Sequence, residues 1–286
     1  MAKSILPALT GILLFLQSAL VLTGGAVRLT GSGLGCPTWP ECVEGSYLPV
    51  EGQAEGQFHA WIEFGNRLLT FALLFAALAT FIAVLKAGRR DLRLLAFGQV
   101  AGIFGQGILG GITVLTDLNP LSVASHFMLS IILIAAATSL HSRRRYPQVR
   151  TSSSHPSISR LSASHTALTF IVLAIGTLVT GTGPHAGDVD APRLDFHIQT
   201  IAYIHAGVVA LLILHSFIFF FASGLSHQTK RWLGIFLVLS LSQGVLGYIQ
   251  YLQGVPILLV AGHLLGSVLI WISAWRIRLS IVRKPA

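Results

Sequence analysis

The sequence predicts an all-α integral membrane protein whose eight transmembrane helices form two tandem, pseudo-symmetric four-helix bundles. Hydrophobic residues make up 53% of the chain and charged residues only 10%, whereas a soluble domain carries about a quarter charged residues. Eight apolar runs are each long enough to cross a bilayer, which takes about 20 helical residues. Motifs in the first four runs recur in the last four at matching positions.

The eight runs divide evenly around a polar, basic and serine-rich segment at residues 142–163. We expect this segment to be a cytoplasmic linker between an N-terminal half, 1–141, and a C-terminal half, 164–286. The first run is long and no small-residue cleavage site follows it, so we expect it to remain as the first helix rather than act as a cleaved signal. The predicted spans lie near residues 5–27, 59–85, 94–115, 120–141, 165–183, 199–222, 232–252 and 256–279.

Two copies of a glutamine–glycine motif establish the repeat. Gln-Gly-Ile-Leu-Gly begins at Gln106 and Gln-Gly-Val-Leu-Gly begins at Gln243, and a histidine follows each glutamine by 20 residues, at His126 and His263. An even number of spans in each half gives both halves the same orientation in the membrane. The motif glycines favour close helix packing, with space for a flat macrocycle as the alternative.

Aligning the second helices of the halves pairs Asn66 with His205. With His126 and His263, these residues lie at one depth, roughly two turns inside the outer ends of their spans. Ionisable residues inside a span are costly and usually functional, and neutral imidazole is a common axial ligand of heme iron. His205 and His263 therefore predict a bis-histidine heme site, the alternative being a pair of hydrogen-bonded core histidines.

The N-terminal half has only one of the two ligands, because Asn66 occupies the position of the second histidine. We expect His126 to bind iron from one side and to leave an open position, which in metal sites permits binding or reaction; the alternative is a packing role. Glu63, the only acid inside an apolar span, lies three residues before Asn66 on the same helix face. It is a candidate proton acceptor or electrostatic stabiliser, or the partner of Arg67 in an interfacial salt bridge.

The only two cysteines, Cys36 and Cys42, lie in the first loop on the outer side. An oxidising exterior favours a structural disulfide between them. A reversible thiol pair that passes electrons to the site is the alternative, whereas zinc is disfavoured because two further ligands are not apparent nearby.

The charge distribution predicts the orientation of the chain in the cell membrane. With both termini in the cytoplasm, all Lys and Arg residues except Arg28, Arg67 and Arg193 lie on the inner side, and Asp91 is the only inner acid. This is the positive-inside bias, so the net charge of +9 indicates orientation and contact with membrane lipids rather than nucleic-acid binding. The loop with Cys36 and Cys42 is expected outside.

These features together resemble the heme A synthase family. The resemblance lies in GGAVRLTGSGLGCPTWPEC, in Ile-Glu-Phe-Gly-Asn-Arg around Glu63, in the two Gln-Gly-x-Leu-Gly…His stretches and in Ile-His-Ala-Gly around His205. It covers essentially all eight spans, and it implies oxidation of a methyl group of heme O, through an alcohol, to the formyl group of heme A for terminal oxidases.

The resemblance also implies a role for each candidate residue. By position, these are His205 and His263 for a resident heme b, His126 and Asn66 for the substrate heme, Glu63 as the catalytic carboxylate, and Cys36 and Cys42 as the outer cysteine pair. The chain departs from the family pattern at Asn66, where many members carry histidine. Heme O is the implied substrate, and heme O synthase and a membrane electron-transfer protein are the implied protein partners.

Two other functions stay open from the sequence. A diheme b-type electron carrier predicts two closed bis-histidine sites and leaves Glu63 without a role. A heme transporter or chaperone predicts a site that can be reached from both sides of the membrane, whereas the candidate positions all lie near the outer face.

Overall fold

A computed structural model describes residues 2–144, 148–149, 156–281 and 284–285. Within these ranges, eight helices are long and apolar enough to cross a membrane, which confirms the predicted all-α membrane fold. The helices are α1 (Ala2–Leu29), α2 (Gln57–Lys86), α3 (Arg93–Leu115), α4 (Pro120–Arg143), α5 (Pro156–Thr182), α6 (Ile198–Phe220), α7 (His227–Leu252) and α8 (Ile257–Ile281). A 3-10 turn, Arg90–Leu92, precedes α3, and the short strands β1 (Gln148–Val149) and β2 (Lys284–Pro285) pair antiparallel.

Most helix ends lie within a few residues of the predicted spans. The largest difference is α5, which begins at Pro156, inside the segment 142–163 that the sequence predicts as a linker. Proline suits the first position of a helix because the N–H it lacks would have no intrahelical partner there. The centre of that predicted linker, residues 145–147 and 150–155, lies outside the described residues.

Each half of the chain forms a four-helix bundle with the same arrangement. In the first half α1 and α3 each pack against both α2 and α4, and in the second half α5 and α7 each pack against both α6 and α8. Consequently α2 and α4 face each other diagonally across one bundle, and α6 and α8 do so across the other. The space between facing helices is where bundles build cofactor sites.

The two bundles meet along α4 and α8, with α1 and α5 at the sides of the interface. Trp271 of α8 donates its indole N–H to the carbonyl oxygen of Ile131 at 2.7 Å, and Trp275 donates to Ser139 Oγ at 2.8 Å. A buried indole needs such an acceptor. The two bonds therefore tie α8 to α4 inside an apolar cluster that both halves share.

The loop between α1 and α2 folds over one end of the first bundle. It contains the disulfide between Cys36 and Cys42, which confirms the predicted bond. The loop backbone at Gly35 lies directly against the backbone of His59 in α2, where no Cβ would fit. On the other side, the ring of Trp39 lies so close to Gly111 of α3 that a Cβ there would be 2.6 Å from a ring carbon.

Candidate functional site

The three predicted site histidines pack against neighbouring helices in one manner. Each imidazole lies over a glycine of the preceding helix, and its Cε1 atom is 3.3 to 3.4 Å from the place that a glycine Cβ would occupy. The pairs are His126 with Gly110, His205 with Gly176, and His263 with Gly247. In all three rings Nδ1 is buried and has no hydrogen-bond partner among the described residues.

This packing distinguishes the two nitrogens of each ring. Nδ1 is enclosed against the neighbouring helix, whereas Nε2 is not enclosed in this way and makes no hydrogen bond to the part of the chain that the structure describes. An imidazole binds iron through one nitrogen, and the surroundings of the other fix the ring. In all three histidines Nε2 is therefore free to bind a metal ion. The ring itself is held in the space beside a glycine of the neighbouring helix, which we call the glycine recess.

In the second bundle, His205 of α6 and His263 of α8 lie on the facing pair of helices. Both side chains are half-buried. Two free Nε2 atoms on diagonal helices, each backed by a glycine, fit a heme bound from both sides. The donor set also suits iron, because a porphyrin supplies four nitrogen ligands and needs only one or two from the protein.

A glutamine one turn before the recess glycine contacts the histidine helix in both bundles. Gln106 Nε2 donates to the carbonyl oxygen of His126 at 3.2 Å and to Ser130 Oγ at 2.6 Å. In the second bundle Gln243 lies directly against Gly266 of α8. In the sequence these two glutamines serve only to establish the repeat, and their contact with the histidine helix is not predicted from it. The signal for this contact is the constant spacing of 20 residues between each glutamine and its histidine.

Asn66 lies against α1 in the first bundle, as His205 lies against α5 in the second. Its Oδ1 accepts a hydrogen bond from Thr23 Oγ1 of α1 at 2.7 Å. Its Nδ2 is 3.8 Å from the Cβ position of Gly24, the next residue of α1. The facing helices α2 and α4 thus bring one amide and one imidazole, that of His126, to the first bundle.

Glu63 is 6% exposed and lies one turn from this amide. Its Oε1 accepts from Arg67 Nη2 at 2.6 Å and from Arg67 Nε at 3.1 Å, and its Oε2 accepts from the backbone N–H of Cys36 at 2.7 Å. Arg67 also donates to the carbonyl oxygens of Cys36, Thr38 and Glu41. The salt bridge that the sequence offered as an alternative role for Glu63 is therefore present within α2. The same two side chains also bond to the backbone of the disulfide loop and so connect it to α2.

Within the described ranges, no group of three or more His, Cys, Asp or Glu side chains could hold a metal ion. The histidine sites differ from such clusters, because each bundle has at most two candidate axial ligands and leaves the remaining positions to a macrocycle.

The chain is similar to known proteins of one family. Residues 8–187 match the family model COX15-CtaA, which is described as cytochrome oxidase assembly protein. Three similar proteins are each named heme A synthase. The protein of Exiguobacterium sibiricum is 30% identical over 229 residues, which are 76% of this chain and 75% of that protein. The protein of Geobacillus thermodenitrificans is 32% identical over 135 residues, 44% of this chain and 40% of that protein.

The third, from Shewanella oneidensis, is 30% identical over 173 residues, 56% of this chain and 51% of that protein. The matches to the Geobacillus and Shewanella proteins thus span less than two thirds of those relatives. The family model, however, covers more than half of the chain, and the match to the Exiguobacterium protein extends through both bundles. The chain belongs to the COX15-CtaA family of cytochrome oxidase assembly proteins.

Proposed function

We propose that this chain is a heme A synthase, an oxidoreductase that converts a methyl group of heme O, through an alcohol, to the formyl group of heme A. The observation that carries the proposal is the difference between two otherwise equivalent bundles. One presents two imidazoles, and the other presents one imidazole, one amide and a nearby carboxylate. The names of the relatives support this function.

In the C-terminal bundle, His205 and His263 would hold a resident heme b. Each would supply one imidazole nitrogen to the iron, and a heme held by two protein ligands would be retained as a cofactor and would supply one-electron chemistry when bound. The chain contributes the ligand identity and the fixed ring positions, which come from the recesses at Gly176 and Gly247.

The N-terminal bundle holds heme O as a substrate. His126 binds it from α4, and Asn66 supplies no second imidazole from α2. A single protein ligand suits a substrate that must leave as product, because a second imidazole would stabilise the bound state without aiding the reaction.

Glu63 acts as a general base. It accepts the proton of the hydroxyl group on the carbon that is being oxidised. A carboxylate has about four acceptor positions, and the protein uses three of them, two on Oε1 for Arg67 and one on Oε2 for the Cys36 N–H. Oε2 therefore retains one position for a substrate proton. Arg67 and Cys36 hold the carboxylate in place, which general-base catalysis requires.

The chain is a multi-pass membrane protein. We place both termini in the cytoplasm and the Cys36–Cys42 loop outside, as the charge bias supports. Oxidation of the methyl group to a formyl group requires a source of the added oxygen atom and a membrane electron-transfer partner, and heme O synthase would supply the substrate.

Heme chromatography tests this function directly. Membranes from a host that makes heme O, expresses the chain and supplies a redox partner should yield heme A or its alcohol intermediate. Glu63→Gln should keep the protein folded and heme-loaded but stop product formation, while the exposed control Glu44→Gln should not. Undiminished heme A from Glu63→Gln would reduce Glu63 to a structural salt-bridge residue.

A further inference from the structure

The amide of Asn66 is held in one orientation by a threonine on the neighbouring helix. Thr23 Oγ1 is 2.7 Å from Asn66 Oδ1 and 3.2 Å from the carbonyl oxygen of Leu20, its other acceptor. The shorter contact gives the hydroxyl hydrogen to the asparagine. The acceptor end of the amide is thereby occupied, and its donor end, Nδ2, has no hydrogen-bond partner among the residues described.

We propose that Asn66 Nδ2 donates a hydrogen bond to a small exogenous ligand of a heme that His126 binds from the opposite side, and that Thr23 is the positioning residue for this donor. The ligand class is a small anion or a water-derived oxygen ligand. The inference rests on the proposed heme site of the N-terminal bundle. It concerns the face of that heme opposite His126, where the protein supplies no ligand to the iron and the small ligand would bind.

A neutral carboxamide does not replace imidazole as a ligand, because the lone pair of its nitrogen is delocalised into the carbonyl group. The sixth position of a heme on His126 is therefore left open by the protein. A hydrogen bond from a neutral donor to an anion is stronger than one between neutral groups, and low dielectric increases the effect. Nδ2 consequently stabilises an anionic ligand, whereas an outward-facing Oδ1 would repel it.

The second bundle provides an internal control for this assignment. There the corresponding residue, His205, lies in its recess against Gly176 with a free Nε2. A heme between His205 and His263 is closed on both faces. One molecule therefore contains an anion-accepting site and an anion-insensitive site, which separate spectroscopically because bis-histidine hemes are low-spin.

The test is an azide titration of the purified ferric protein after saturation with hemin, followed by absorption and electron paramagnetic resonance. Total heme is measured separately as the pyridine hemochrome. We expect two hemes per chain, of which one shifts with azide and the other stays low-spin. Asn66→His should close the responding heme, which would then be low-spin without azide.

The threonine is tested by Thr23→Val, which preserves the side-chain shape but removes the hydroxyl. Azide should bind about tenfold more weakly to this variant, as expected for a misdirected hydrogen bond to a charged ligand. Thr23→Ser should restore the affinity of the parent protein. A purely structural role for Thr23 would change heme content or thermal stability but would leave the azide affinity unchanged in the hemes that remain.

The outcomes separate this inference from the proposed function. Two hemes per chain with no azide response, or equal azide affinities in Thr23→Val and the parent, would overturn the inference and leave the substrate site standing. A single heme per chain at hemin saturation, lost in His263→Ala and retained in His126→Ala, would overturn the N-terminal heme site and the inference with it.

Discussion

A glycine opposite each site histidine determines how closely the imidazole ring can approach the neighbouring helix. At Gly247 a Cβ would lie 3.4 Å from Cε1 of His263, which is ordinary contact, but any larger side chain would need the space of the ring itself. The glycine therefore sets the ring position and, through the enclosed Nδ1, leaves Nε2 as the donor atom. Small residues in membrane helices usually serve close helix packing, and here one of them leaves space for a histidine ring.

Replacing this glycine should release the resident heme. We expect Gly247→Leu to displace the His263 ring and to lower the heme content well below that of the parent protein, because one axial ligand is lost. Gly244→Leu is the matched control on the same helix, since a Cβ at Gly244 meets nothing within 4 Å. The measurement is pyridine hemochrome per purified protein, and equal heme content in the two variants would contradict the role of the recess.

The depth of the site residues could be predicted from the sequence, but their contacts could not. The repeat places Asn66, His126, His205 and His263 at equivalent positions because helix periodicity converts spacing into depth. The contact of Thr23 with Asn66 depends on how two helices rotate about their own axes, and similar apolar faces in every span leave that rotation undetermined. Thr23 and Gly176 were accordingly missed from the sequence, and Gly110 and Gly247 were interpreted first as packing residues, with space for a macrocycle as the alternative.

At the scale of elements, the loop between α1 and α2 is held on α2 by side-chain and backbone contacts together. Arg67 reaches three loop carbonyl oxygens as well as Glu63, and Cys36 returns a backbone N–H to the same carboxylate. Both disulfide sulfurs belong to residues that are 0% exposed. The loop therefore covers one end of the first bundle, and its position depends on a close backbone approach at Gly35.

A side chain at Gly35 should lift this loop. A Cβ there would collide with the backbone of His59 and would be 2.8 Å from the N atom of Ala60. We expect Gly35→Ala to make the Cys36–Cys42 bond accessible to a membrane-impermeant reductant. In intact cells, the thiols released by reduction should then be labelled by a maleimide faster than in the parent protein.

The control for this labelling is Gly65→Ala, because a Cβ at Gly65 of α2 meets nothing within 4 Å. Equal labelling rates in the two variants would show that the loop does not depend on this approach. Labelling of Gly35→Ala only after the cells are broken open would place the loop on the cytoplasmic side and contradict the proposed orientation.

At the scale of the whole molecule, two four-helix bundles with the same helix arrangement are joined through α4 and α8, with α1 and α5 beside them. The interface is apolar near its centre, with Trp271 and Trp275 bonded to α4, and Gly25 of α1 packs directly against Leu264 of α8. Composition and the repeat were enough to predict two four-helix halves. Which helices join them could not be predicted, because lipid-facing and interface surfaces are both apolar and the glycine that allows the close approach resembles many others.

The division of labour between the halves is the central claim, and chromatography of the hemes bound to purified variants tests it most directly. The comparison is between His126→Ala and His263→Ala, expressed in a host that makes heme O. We predict that His126→Ala keeps heme B and loses heme O and heme A, whereas His263→Ala loses heme B. Retention of heme O by His126→Ala together with loss of its heme B would contradict the assignment of the substrate to the N-terminal bundle.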